Sequence, residues 1–147
     1  MGQFSVSALP QGREYDILDI AAKGYGSDRA VVETKDTQTN RYEFPTFVLL
    51  RADRKIAGRV LDEAGKPIAG AEVYFMGKGQ PMNSGDKWGQ QPWCNTKTDS
   101  EGNFSFDNVC NAPLRVYADA HNGGGMKYQE AQAGDTNIII RLSAPNR

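Results

Sequence analysis

Apolar and polar residues alternate with a period of two along most of this chain, and glycine, proline, asparagine or aspartate breaks the pattern every eight to twelve positions. Ile56, Gly58 and Val60 alternate with Lys55, Ala57 and Arg59. A Gly65-Lys66-Pro67 connection follows, and Ala71, Val73 and Phe75 then alternate with Glu72 and Tyr74. Successive strand side chains point to opposite faces, so this stretch reads as strand, turn, strand with one apolar face on each. A second unit starts at Thr98-Asp99-Ser100-Glu101-Gly102. There aspartate opens a turn, Gly102 takes the position that needs positive φ, and Phe104 and Phe106 share a face of the strand that follows. The same alternation appears at Phe4 and Val6, in residues 15–22, 29–34 and 42–50, at Leu114, Val116, Ala118 and Ala120, and in residues 128–133 and 136–142. Pro45 confines its strand to an edge or a bulge. No stretch longer than ten residues carries apolar positions at helical spacing, so the expected class is all-β, a sandwich or barrel.

Hydrophobic residues make up 39% of the 147 positions and charged residues 24%, enough apolar material to close a core. Seventeen basic against eighteen acidic residues leave a net charge of −1, which removes the electrostatic case for nucleic acid or an anionic membrane as partner. The longest apolar runs, residues 47–50 and 138–140, fall far short of the roughly 20 residues of a spanning helix, so no membrane insertion is expected here. Met1-Gly2-Gln3-Phe4 enters a strand pattern directly, without the basic and apolar regions of a secretory signal. The expectation is a segment of a longer protein.

Compared with itself, the chain repeats. Gly2-Gln3-Phe4-Ser5-Val6 and Leu9 match Gly102-Asn103-Phe104-Ser105-Phe106 and Val109. Tyr15-Asp16-Ile17 with residues 21–24 parallels Leu114-Arg115-Val116 with residues 118–120, and residues 47–50 parallel residues 139–142. Residues 1–52 therefore read as the trailing half of one module, about four strands without their opening hairpin, and residues 53–147 as a complete copy. The joint at residues 51–54 is too short for a flexible linker, so the two parts are expected to be closely coupled. Phe4, Val6, Tyr15, Ile17, Phe47 and Leu49 would form the apolar face that the half-module must cover.

Chemistry is sparse. Acid-base or nucleophilic catalysis needs a positioned set of groups, yet the single histidine, His121, sits in a glycine turn with Asp119 two residues before it. A solvated side chain with few partners is the reading for His121. Neither a Gly-x-Ser-x-Gly elbow nor a Gly-x-x-x-x-Gly-Lys loop occurs. Cys94, Cys110, His121 and Asp119 lack the Cys-x-x-Cys pair of a structural zinc site, and Asp99-Ser100-Glu101 lacks the ligand pattern of a calcium loop. No metal, cofactor or enzyme activity is expected. Residues 76–92 form the longest irregular segment, rich in glycine and proline, which is where specificity would lie. Trp88 and Trp93, with Tyr74, Gln90 and Gln91, would make an aromatic platform for a sugar ring. The alternatives are that Trp93 caps the core or that the loop meets a protein. Cys94 and Cys110 flank the Asp99 turn. If that turn is a hairpin, pairing places Cys94 opposite about Asp107 or Asn108, near enough for a disulfide. Two buried thiols are the alternative.

The ordered set Ile56-x-Gly58-x-Val60-x-Asp62, Gly65-x-Pro67-Ile68-x-Gly70-Ala71-x-Val73, Thr98-Asp99-x-x-Gly102-x-Phe104-x-Phe106 and a closing strand from Ile138 to Leu142 resembles the carboxypeptidase regulatory-like family. The likeness covers about residues 55–143. It implies an immunoglobulin-like, prealbumin-type antiparallel β-sandwich acting as a non-catalytic spacer, scaffold or docking surface in a bacterial cell-envelope or secreted protein, with the other domains of the parent as partners. A compartment of that kind is oxidising, which favours the disulfide. Two rival readings remain open: a carbohydrate-binding module that uses the Trp88 and Trp93 loop, and a regulatory appendage of an enzyme in the parent chain.

Overall fold

The computed structural model describes residues 2–3, 5, 16–31, 46–81, 95–121 and 124–143. Its strands in chain order are β1 (Asp16–Ala21), β2 (Ser27–Val31), β3 (Ala52–Asp62), β4 (Glu72–Met76), β5 (Asn95–Lys97), β6 (Asn103–Cys110), β7 (Leu114–Asp119), β8 (Met126–Ala131) and β9 (Ile138–Leu142). No helix occurs among the described residues. β1 and β2 form an antiparallel hairpin; β6, β3 and β9 lie in that order in one sheet, and β5, β4, β7 and β8 in another. These two sheets enclose the core, so the all-β sandwich expected from the alternation is what forms.

The core is the set of inward positions that the period-two pattern marks. Ile56 and Val60 from β3, Val73 and Phe75 from β4, Phe104 and Phe106 from β6, Val116 from β7, and Ile138, Ile140 and Leu142 from β9 pack into one buried cluster. Phe75 and Phe106 meet edge to face at 5.0 Å between centroids. Pairing is antiparallel throughout except between β3 and β9, which run parallel from Gly58 opposite Ile138 to Asp62 opposite Leu142. Gly58 faces Phe104 on one side and Ile138 on the other, and a β-carbon there would stand 2.1 Å from the Ile138 carbonyl oxygen. Only glycine allows this approach. Gly102 has the expected positive φ, 75°, and its own β-carbon would meet the Val60 oxygen at 2.5 Å.

Three expectations change. The Asp99 turn is not a hairpin: β5 pairs with β4 in one sheet and β6 with β3 in the other, so the chain crosses between layers at this turn. Thr98 anchors the crossing. Its hydroxyl donates to the Ile68 oxygen and accepts from the Ala71 N–H, while its own N–H and C=O bond Ala71 and Gly70. The β5–β6 register from which a Cys94 position opposite Asp107 or Asn108 was expected is therefore not formed. The expected Cys94–Cys110 disulfide is not seen: Cys110 is a free, buried thiol whose Sγ lies 3.4 Å from the Leu50 oxygen, and Cys94 lies outside the described residues. Burial pushes the Cys110 thiol pKa up. Finally, residues 46–50 are not a strand. They alternate half-buried Phe47 and Leu49 with exposed Thr46, Val48 and Leu50, but they have no ladder partner among the described residues.

Candidate functional site

Tyr74 belongs to the outward face of the four-stranded sheet. β4 buries Val73 and Phe75, which turns Glu72, Tyr74 and Met76 outward; β7 buries Leu114, Val116 and Ala118 and turns Arg115, Tyr117 and Asp119 outward. Register then aligns the outward side chains in rows across the strands. Tyr74 sits opposite Tyr117, and Tyr117 opposite Tyr128 of β8. Tyr74 and Tyr117 stack at 5.0 Å with planes 6° apart, and Tyr128 leans on Tyr117 at 5.5 Å and 41°. The Arg115 guanidinium lies 5.0 Å over the Tyr128 ring and bridges to Glu130 at 3.4 Å. The Tyr74 hydroxyl donates to the Met126 sulfur. Burial, followed by the neighbouring Tyr117, Asp119 and Glu72, holds the Tyr74 phenol above its ordinary pKa.

Such cross-strand aromatic rows stabilise a sheet. Here Tyr74 and Tyr117 cover each other's faces and Arg115 lies over Tyr128, which is itself 53% exposed.

Above the next row stands His121, and it has more partners than its glycine-flanked turn suggested. Its backbone takes a left-handed φ of 52°, and its N–H donates to Asp119 Oδ1 at 2.7 Å. Nε2 meets Glu72 Oε2 at 2.8 Å, and Nδ1 lies 3.4 Å from Asp119 Oδ2. The Glu72 bond and then the Asp119 charge raise the His121 pKa, and His121 in turn lowers that of Glu72. The sequence placed Asp119 beside His121; Glu72, 49 residues away, arrives only through the β4–β7 pairing. Each ring nitrogen thus faces a different carboxylate, Glu72 on Nε2 and Asp119 on Nδ1. Among the described residues no group of three His, Cys, Asp or Glu side chains is placed to hold a metal ion.

Of the sequence-predicted loop residues, Trp88, Gln90, Gln91, Trp93 and Cys94 lie outside the described residues, and Tyr74 is drawn into the tyrosine ladder instead. Tyr117, Tyr128 and Arg115 went unmarked in the sequence because only register brings them together.

A second cluster, which no motif pointed to, centres on Gln80, 1% exposed. Gly77 and Gln80 close a turn in which Gly79 has φ 80°, so the Gln80 side chain is directed inward. There it behaves as an extra strand residue. Its Oε1 accepts the Cys110 N–H at 2.8 Å, and its Nε2 donates to the Cys110 and Ala112 oxygens, both at 3.0 Å. On its other side the Gln80 carbonyl accepts both the N–H and the hydroxyl of buried Ser27, the first residue of β2.

No protein-family model matches the chain, and no curated protein matches it by sequence. Solved structures are similar to it in fold. They include the Bacillus anthracis TIE protein at 12% identity, over 80% of this chain and 20% of that one, with a TM-score of 0.42. A streptococcal ancillary pilin is similar at 11% identity, over 86% of this chain and 40% of that one, with a TM-score of 0.48. A Pseudomonas aeruginosa protein described provisionally as carbohydrate binding is similar at 13% identity, over 63% and 88% of the two chains, with a TM-score of 0.36. This chain thus spans well under half the length of the first two proteins it is similar to.

Proposed function

We propose that this chain is a non-catalytic repeat module of the carboxypeptidase regulatory-like type, a structural spacer and docking unit in a larger bacterial envelope or secreted protein. The observation that carries this reading is the recurrence of one hairpin. β1 and β2 pair antiparallel around a five-residue connection, residues 22–26, and β7 and β8 pair antiparallel around a six-residue connection, residues 120–125. The two hairpins start 98 residues apart, at Asp16 and Leu114, in line with the internal sequence match. The tyrosine row and the His121 pairs support the same reading, because side chains suited to chemistry or sugar stacking are engaged with one another.

A glycan array tests it. A structural module gives no binding above background. Specific binding that is lost in Trp88→Ala and Trp93→Ala would overturn the proposal in favour of a carbohydrate-binding module.

A further inference from the structure

From the contacts around Gln80 we infer a docking site for a neighbouring module: the recess formed by residues 77–80, Cys110 and the start of β3 receives the hairpin turn of the copy before it and fixes the angle between the two. The inference rests on the repeat reading above and gives it a mechanism.

The turn between β1 and β2 is seated from three directions. Gly26 donates its N–H to the Leu50 oxygen at 2.8 Å, Ala52 donates to the Gly24 oxygen at 2.9 Å, and Tyr25 and Arg51 form an antiparallel bridge. The turn thereby extends the three-stranded sheet beyond the end of β3, where Ala52 is paired with Cys110. Ser27 then bonds Gln80 through both its N–H and its hydroxyl. Last comes shape. A β-carbon on Gly26 would stand 1.9 Å from the Gly79 oxygen and 2.9 Å from the Cys110 Sγ, so the turn meets the recess with no room for a side chain. By contrast, a β-carbon on Gly24 or Gly125 would meet nothing within 4 Å. Among the described residues no buried side-chain polar atom is left without a partner, those of Gln80 and Ser27 at the joint included. A flexible tether would show none of these features.

The test uses the full chain. Gly26→Val drives a branched side chain into the Gly79 carbonyl and the Cys110 sulfur while leaving the sandwich core untouched. In the wild type, 15N relaxation should show residues 16–31 tumbling as one body with residues 56–142, and alkylation at Cys110, read by peptide mass spectrometry, should be slow. In Gly26→Val, residues 16–31 should gain fast motion and Cys110 should react about tenfold faster or more. Val60, Val73, Phe104 and Val116 should stay protected from hydrogen exchange, which shows that the sandwich itself survives. Ser27→Ala should move both readouts the same way by less. If Gly26→Val leaves the common tumbling and the slow Cys110 reaction as in the wild type, the recess is not a docking site. Glycan binding would overturn the structural reading without moving either readout, so the two failures are distinguishable.

Discussion

At the scale of single residues, conformation and charge meet at His121. Its left-handed backbone is unusual for a residue with a β-carbon. It is held there by the Asp119 carboxylate on its N–H and by Glu72 on its ring. This pairing should make stability depend on pH. The folded pKa of His121 lies above its ordinary 6.5, so its contribution is complete below about pH 6.5 and is lost as pH rises through the raised value. For Glu72 the folded value lies below 4.5, so its contribution is present above about pH 4.5 and is lost as pH falls through the lowered value. Both act together between these limits. Replacing His121 by Asn, which tolerates the same backbone but does not titrate, should lower Tm most at about pH 5 to 6. The difference should shrink steadily toward alkaline pH. Paired melting scans across that range check this, and a Tm difference that grew with pH would contradict it. The effect will be small, because the side chain is exposed and salt screens it.

Among the elements, the contact between β3 and β9 is sensitive to the addition of a single carbon. Gly58 lies between the Ile138 oxygen and the Phe104 ring, whose tip a β-carbon would approach to 2.7 Å. The Ile138 oxygen belongs to the backbone and cannot yield without moving β9. Gly58→Ala should therefore cost about 3 kcal/mol or more by overpacking, seen as a lower urea midpoint with unchanged slope. An effect below about 0.5 kcal/mol would mean that the two strands lie farther apart. The strands and their buried faces were legible in the sequence, because alternation fixes which side of Ile56, Val73, Phe104 or Ile140 is inward whatever the strand pairs with. Pairing was less legible. Thr98-Asp99-x-x-Gly102 has the chemistry of a hairpin turn, but here it carries the chain from one sheet to the other, and local turn signals do not encode which layer comes next. The disulfide is not seen, and the hairpin on which its expectation rested is not formed. Gln80 was invisible for a related reason: a glutamine in a glycine-rich loop reads as solvated unless the backbone of Cys110 is known to lie beneath it.

Across the whole molecule, the question is whether residues 16–31 and 46–52 have any stability of their own. A two-stranded hairpin is marginal in water, and β1 has no partner besides β2 among the described residues. Phe47 and Leu49 are only half-buried, Leu50 is 40% exposed and Val48 78%. At roughly 1.5 to 3 kcal/mol for each apolar side chain fully buried, so little burial leaves the segment dependent on the sandwich it rests against. The sandwich shows no matching dependence: among the described residues its core cluster draws on β3, β4, β6, β7, β8 and β9 and on none from the first fifty positions. A polypeptide beginning at Asp53 should therefore fold alone, losing only the cover over Cys110 and the Gln80 turn. A polypeptide ending at Arg54 should not fold. In the full chain, amides of residues 16–31 should exchange faster than those of Val60, Val73, Phe104 and Val116, because the joint can open without disturbing the core. Circular dichroism melts of the two fragments decide the matter. Cooperative melting of the monomeric fragment 1–54 would show that it closes a core of its own, and the reading of residues 1–52 as half a module resting on its neighbour would have to be abandoned.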